Sequence, residues 1–339
     1  MPKVLVGVMT RNRLRYVRET VQSVLAQTFT DIRVIVSENP TRPEVAQELR
    51  AWLEALQDPR VSYVLQPIDG GEYAQGRFLF GQCTEPYFCF MHDDDAMEPG
   101  YIAKAVAALE ADPGLCLFQS GQHVIDADGV VQPAWSDDYA RFQARNRQQG
   151  RIDNALDALL EHGLFSISGA IFRTDHMRRS GLVDADLGGI YPFEFNVFLR
   201  ALEGGAAAGY TPERLLRYRW HDSSMRHTDG ASLTDYMVRD LVCLLERRHF
   251  KGRSERLRRR LLAFNLRNLS FISLVAGQPV QARLHLRRAL GLYPAGLGLW
   301  AAALALLVAP LRLRQRFAGR VNLAPRSPGW AQAIPGQEQ

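Results

Sequence analysis

An apolar run, Phe88-Cys89-Phe90-Met91, gives way after His92 to three consecutive carboxylates, Asp93, Asp94 and Asp95, with Pro99 a few residues beyond. The run reads as a buried strand. Adjacent Asp side chains repel one another, and they stay ionised together at low cost only where a cation or strong donors sit among them. Hard divalent ions such as Mg2+ and Mn2+ prefer oxygen ligands and keep positions open for phosphate oxygens. The C-terminal end of a strand is also where open α/β sheets bind ligands. A solvated acidic turn needs no apolar strand before it.

The segments around this run alternate strand and helix signals. Lys3–Met9, Ile32–Ser37, Val61–Leu65, 87–91 and Leu115–Gly121 have strand character. Between them, Arg13–Gln27, the stretch after Pro43, Glu72–Cys83 and Tyr101–Ala111 carry apolar residues at helical spacing. Pro43 suits the first turn of its helix. This β-α-β order predicts an α/β domain with a mostly parallel sheet and helices on both faces. Residues 127–150 are polar and read as a long loop or lid with a short helix. Ile152–His162 reads as helix, Phe165–Phe172 as strand, Glu194–Leu202 as helix and Leu215–Trp220 as a last short strand. Helical patterns then cover 233–249, 254–276 and 279–291, and the tail 321–339 reads as disordered.

Charge divides the chain more sharply than its net value of +5 suggests. Residues 1–230 hold 23 basic and 31 acidic side chains, whereas 231–320 hold 17 and 4. Such a split predicts an acidic domain over 1–230 and a basic helical region over 231–320 that faces an anionic partner. Residues 290–311 carry no charge. That length just spans a bilayer. The Gly and Pro within it also fit a buried helical hairpin or a helix lying in the membrane interface, and the neighbouring arginines favour the interface. No nucleic-acid module is recognisable, which argues against nucleic acid as the partner. The four cysteines lack C-x-x-C spacing and read as reduced core residues of a cytosolic protein. No secretory signal pattern precedes the first strand. The absence of both G-x-x-x-x-G-K-[ST] and G-x-G-x-x-G after that strand argues against P-loop hydrolysis and dinucleotide redox chemistry.

Three strand ends form an ordered set: Val8-Met9-Thr10-Arg11-Asn12-Arg13, Val36-Ser37-Glu38-Asn39-Pro40-Thr41 and His92-Asp93-Asp94-Asp95 with Pro99. Together they resemble family 2 glycosyltransferases, the inverting enzymes of the GT-A fold, over about residues 3–226. The Asp run matches the family's D-x-D motif, and Glu38 stands where an Asp is usual. Ser168-Gly169-Ala170-Ile171-Phe172-Arg173 resembles the family's strand near the sugar and acceptor. Glu194, six positions before Arg200, takes the place of the catalytic carboxylate, with Phe193 and Glu194 in place of two acidic residues. Tyr218-Arg219-Trp220-His221-Asp222-Ser223-Ser224 is similar to a segment whose His completes the metal site.

The resemblance implies a nucleotide-sugar donor held by Thr10, Arg11, Asn12, Glu38, Asp93, Ser168 and Gly169, and Arg77 is a further candidate to face its diphosphate. It implies a divalent cation, Mn2+ or Mg2+, on Asp94 and His221 with Asp95 beside them. Glu194 is then the general base that takes the acceptor hydroxyl's proton. The acceptor is a glycan or a lipid-linked glycan of a bacterial cell-surface pathway, and the place of work is the cytoplasm or the inner face of the plasma membrane. Two other readings stay open: a polyprenyl-phosphate sugar synthase, and a nucleotide-sugar-binding protein without turnover.

Overall fold

A computed structural model describes residues 3–186, 192–221, 230–298, 300 and 301. Residues 222–224 of the His221 segment, the distal part of the apolar stretch (302–311) and the tail from 321 lie outside them. The chain divides into two compact units, one within Met1–Ser224 and one within Met225–Ser327.

In the first unit the chain order is β1 (Val4–Thr10), α1 (Leu14–Leu25), β2 (Ile32–Glu38), α2 (Pro43–Ala55), β3 (Val61–Leu65), α3 (Gly71–Gly81), β4 (Tyr87–His92), β5 (Ala96–Met97) and α4 (Tyr101–Ala111). There follow β6 (Leu115–Ile125), α5 (Pro133–Phe142), a 3-10 turn (Arg145–Arg147), β7 (Gly150–Ile152), α6 (Ala155–His162), β8 (Ile171–Arg173), α7 (Thr174–Ser180), α8 (Phe193–Leu202) and β9 (Ala207–Arg219). The nine strands form one mixed sheet in the order β3-β2-β1-β4-β8-β6-β9-β5, with β7 on β9. β1 pairs in parallel with β2 and β4, and β2 with β3. The chain therefore steps outward from β1 to β3 and returns to the other side of β1 as β4. The β1–β4 boundary is the topological switch point, where a crevice opens beyond the strand ends.

Alternation along the strands explains the layers. Val4, Val6 and Val8 share a face with Val34, Val36, Cys89 and Met91, and that face packs on Val17, Val21 and Val24 of α1, Leu49 and Leu53 of α2, and Ile102, Ala105 and Leu109 of α4. On the opposite face a Cβ added to Gly7 would lie 3.1 Å from Leu79 of α3. There Phe90 meets Phe193 of α8 edge-on, with centroids 5.4 Å apart. Strands covered on both faces need apolar residues at every position, which is why they read as unbroken runs.

The structure corrects the sequence expectation in three places. Phe165–Phe172 is strand only at its end, as β8. Gly169 adopts φ +86°, its N–H donates to Phe90 O at 2.8 Å, and Tyr101 Oη donates to its carbonyl. The expected short strand at 215–220 is the end of the 13-residue β9, which keeps its pairing with β6 across irregular register near Gly121. There an added Cβ would lie 2.6 Å from Pro212 O. Within 127–150, which reads as loop with a short helix, α5 runs 10 residues and is followed by the 3-10 turn and, at Gly150, the start of β7.

The second unit contains α9 (Gly230–Glu246), α10 (Gly252–Val275) and α11 (Pro279–Leu292). Buried Arg258 joins α10 to α9, donating from Nη1 to Leu245 O at 2.7 Å while Nη2 pairs with Glu255 at 2.6 Å. Ser270 Oγ donates to Ala282 O at 2.7 Å across α10 and α11.

Gly169 carries a specific stability prediction. A Cβ there would lie 2.5 Å from Leu216 Cδ2 at a backbone conformation that disfavours L side chains. Gly169→Ala is expected to cost about 2–4 kcal/mol in urea unfolding, from left-handed strain and overpacking together.

Candidate active site

The parallel register sets Met9 beside His92 and Thr10 beside Glu38, so the ends of β1, β2 and β4 lie side by side, where an open α/β sheet places its ligand crevice. The Asp turn after β4 is tied to the loop after β1. Thr10 Oγ1 and the Arg11 N–H donate to Asp93 Oδ2 at 2.8 and 3.2 Å. Arg13 Nη1 bridges Asp93 Oδ1 at 3.0 Å and Asp94 Oδ2 at 2.8 Å. From beneath, Thr20 Oγ1 of α1 lies 2.9 Å from Asp93 O and 2.7 Å from Asp95 O. β9 closes the far side: the Arg219 N–H donates to Asp95 Oδ1 at 3.0 Å, and Arg219 Nε to Asp94 O at 2.8 Å. His221 Nε2 then sits 3.1 Å from Asp94 Oδ2, its ring 4.7 Å from that of Tyr16.

These partners split the three carboxylates. Burial raises the Asp93 pKa, and the Asp94 charge adds to it against Arg13, Thr10 and Arg11. Burial works the same way on Asp94, but the His221 hydrogen bond and the Arg13 and His92 charges outweigh it and hold Asp94 below the usual range. Burial and the Asp94 charge push Asp95 up. Burial opposes a charge on His92, yet its 2.9 Å contact with Glu72 and the nearby carboxylates raise it to about 10.

The donor set suits a hard or borderline divalent cation. Potential ligand atoms of His92, Asp94 and Asp95 all lie within 4.8 Å of one another. Carboxylate oxygens fit Mg2+ or Mn2+, and an imidazole nitrogen suits Mn2+ better. Asp94 Oδ1 accepts no hydrogen bond from the described residues, both of that side chain's bonds falling on Oδ2. Glu72 holds the His92 ring in the manner of an outer carboxylate that orients a ligating imidazole.

The other sequence candidates have contacts of their own. Glu38 is 1% exposed; Tyr63 Oη donates to its Oε2 at 2.6 Å, while Oε1 is buried without a hydrogen-bond partner and burial raises its pKa. Gln75 of α3 pins the two strand ends, donating to Thr10 O at 3.2 Å and Ser37 O at 2.6 Å. Asn12, at φ 59°, takes Arg42 Nη2 on its Oδ1 at 2.9 Å, and exposed Arg11 pairs with Asp69 at 2.7 Å. Ser168 Oγ accepts the His92 N–H at 3.2 Å and also hydrogen-bonds Asp95. Ser168 and Gly169 therefore buttress the strand that carries the Asp turn. Arg77, also exposed, reaches Ala185 O at 3.4 Å. Glu194 stands in the first turn of α8, next to Phe193, whose ring packs on Phe90 and on Tyr73, each at 5.4 Å.

Sequence reasoning assigned no role to Arg13, Thr20, Glu72, Tyr63 or Arg219, and it named His92 without one. Thr20 left a signal: it is a polar residue within the Val17-Val21-Val24 stripe of α1. Thr20→Val keeps the side-chain shape and removes its hydrogen bond. It is expected to lower stability by about 1 kcal/mol and to weaken Mn2+-dependent nucleotide binding, measured by urea unfolding and thermal shift.

Comparison with known proteins gives this geometry a family. Residues 5–160 match the model of glycosyl transferase family 2. The O-antigen biosynthesis protein RfbC of Myxococcus xanthus is 26% identical over 132 residues, 37% of this chain and 10% of that protein. Among solved structures, S. aureus TarS 1-349 in complex with UDP-GlcNAc superposes with TM-score 0.60 at 14% identity, covering 94% of this chain and 89% of TarS 1-349. The mannosyltransferase PcManGT of Pyrobaculum calidifontis, in complex with GDP-Man and Mn2+, gives TM-score 0.55 at 17% identity over 94% of this chain and 84% of its own. The fold is GT-A with a helical C-terminal region, and residues 5–160 belong to glycosyl transferase family 2.

Proposed function

We propose that the chain catalyses metal-dependent, inverting transfer of a sugar from a nucleotide-sugar donor to an acceptor hydroxyl. The observation that carries this is the Asp turn at the sheet's switch point, where His92, Asp94 and Asp95 converge within 4.8 Å. Asp94, Asp95 and His92 hold the cation, and His221 steadies Asp94 by its hydrogen bond. A bound divalent cation supplies charge neutralisation for the departing diphosphate. Its presence beside GDP-Man in PcManGT supports the choice.

The rest of the reaction falls to the chain's own groups. Asp93 and Thr10 shape the floor under the nucleotide. The unpartnered Glu38 Oε1 takes an N–H of the base, an imide-type donor such as uracil or guanine carries. Glu194 accepts the acceptor hydroxyl's proton as that oxygen attacks the anomeric carbon from the face opposite the leaving group, which inverts the centre in one displacement. The acceptor is a glycan or lipid-linked glycan at the inner face of the plasma membrane. The O-antigen relative supports that class through the stretch it shares with this chain.

Two variants separate binding from chemistry. Asp94→Ala is expected to abolish the Mn2+-dependent thermal shift by nucleoside diphosphates. Glu194→Gln is expected to keep that shift and to slow nucleoside diphosphate release in an acceptor panel by about 10²–10⁴-fold. Wild-type turnover in Glu194→Gln would remove Glu194 from the role of base.

A further inference from the structure

The C-terminal helical unit presents a surface that sugar transfer leaves without a purpose. Residues 256–337 contain thirteen arginines and no Asp, Glu or Lys. Among the described residues, Val280, Leu284, Leu297 and Trp300 are exposed large apolar side chains. On α11 the buried side is Ala282, Leu286 and Ala289. Helical spacing puts Val280 and Leu284 on the opposite side, with exposed Arg283 and Arg287 beside them. An ordinary solvated helix face mixes both signs of charge; α11 joins aliphatic side chains to arginines and carries no carboxylate of its own, Glu246 of α9 reaching it at Arg288.

The chain after α11 repeats the pairing. Leu297 is 85% exposed and Trp300 50%. Between them Gly298 passes Arg267 of α10: a Cβ added to it would lie 3.6 Å from Nη1. Arg267 Nε is buried without a hydrogen-bond partner, and burial, unopposed by a nearby charge, lowers its pKa. Its Nη2 donates to Asn268 Oδ1 at 3.2 Å and its guanidinium lies 4.2 Å from the Phe264 ring centre, so it is held within the helical unit.

We propose that the side of α11 formed by Val280, Arg283, Leu284 and Arg287, with exposed Leu297 and Trp300 after it, docks on the surface of an anionic lipid bilayer. The inference rests on the lipid-linked acceptor proposed above and names the surface that brings the enzyme to it. Both halves of the face are used there. Val280, Leu284 and Leu297 sink to the acyl boundary, Trp300 sits at headgroup depth, and the arginines meet lipid phosphates. A nucleic acid would engage the arginines and leave the four apolar side chains in water. No helix among the described residues is long and apolar enough to cross a membrane.

The test is co-sedimentation of the full chain with phosphatidylcholine vesicles, with and without phosphatidylglycerol. The wild type is expected to bind vesicles containing phosphatidylglycerol. The double variant R283Q/R287Q should weaken that binding by about 30-fold. The double variant V280S/L284S should weaken it by at least about tenfold. Both should keep the wild-type circular dichroism spectrum and the Mn2+-dependent nucleoside diphosphate shift. Vesicle binding that ignores both variants, or its absence in the wild type alongside intact nucleotide binding, overturns the docking face and leaves the transferase reading standing. Binding to single-stranded RNA that R283Q/R287Q weakens and V280S/L284S does not, without vesicle binding, overturns it in favour of nucleic acid. Vesicle binding without any nucleotide shift supports the face and removes the donor reading instead.

Discussion

Three adjacent carboxylates held in a buried turn are the constraint around which the first unit is organised. Their repulsion is met by donors from three separate parts of the chain, Thr10, Arg11 and Arg13 at and just after the end of β1, Ser168 before β8, and Arg219 with His221 at the end of β9, while Thr20 of α1 holds the turn by its backbone carbonyls. Each donor is useful only because the sheet brings its element to the switch point. The result is an uneven site, with Asp94 held ionised by His221, Arg13 and His92 while burial raises its two neighbours. A cation bound as proposed would favour the ionised carboxylates and displace the His92 proton, coupling metal and fold through the same residues.

Rigidity at the site comes from packing as much as from polar contacts. Phe193 ties the start of Glu194's helix to Phe90 of β4 and Tyr73 of α3. A Cβ on Gly76 would lie 2.2 Å from the Phe193 ring, which explains a glycine in the middle of α3. Gly169 answers a similar demand beneath Leu216. The sequence resemblance attaches Ser168 and Gly169 to the sugar; their contacts show what else they do, which is to brace β4 and the Asp turn.

Much of this was legible from residue pattern. The runs in β1, β2 and β4 are apolar at nearly every position because both faces are covered, and they end at polar clusters where the crevice opens. The limits lay in contacts between residues far apart in the chain. Ser-Gly-Ala-Ile-Phe has the composition of a strand, and only the φ of Gly169 shows where pairing begins. β9 was shortened in prediction because Ala207–Gly209 is small and Pro212 interrupts it, whereas its partner β6 lies some ninety residues earlier. Glu72, 20 positions from His92, gains meaning only once α3 is folded against the end of β4. Thr20 was visible as a polar residue in an apolar stripe, and what it bonds was not.

The central claim is that the His92–Asp95 turn holds a divalent cation together with a nucleoside diphosphate. Electron paramagnetic resonance of Mn2+ tests it most directly, because the six-line signal of the free aqueous ion falls as it binds. The account predicts that UDP or GDP deepens the loss of signal with wild-type protein beyond that caused by the nucleotide alone, and that Asp94→Ala, folded by circular dichroism, shows no such deepening. A signal that wild type leaves unchanged with every nucleoside diphosphate, or that Asp94→Ala depresses equally, would contradict it.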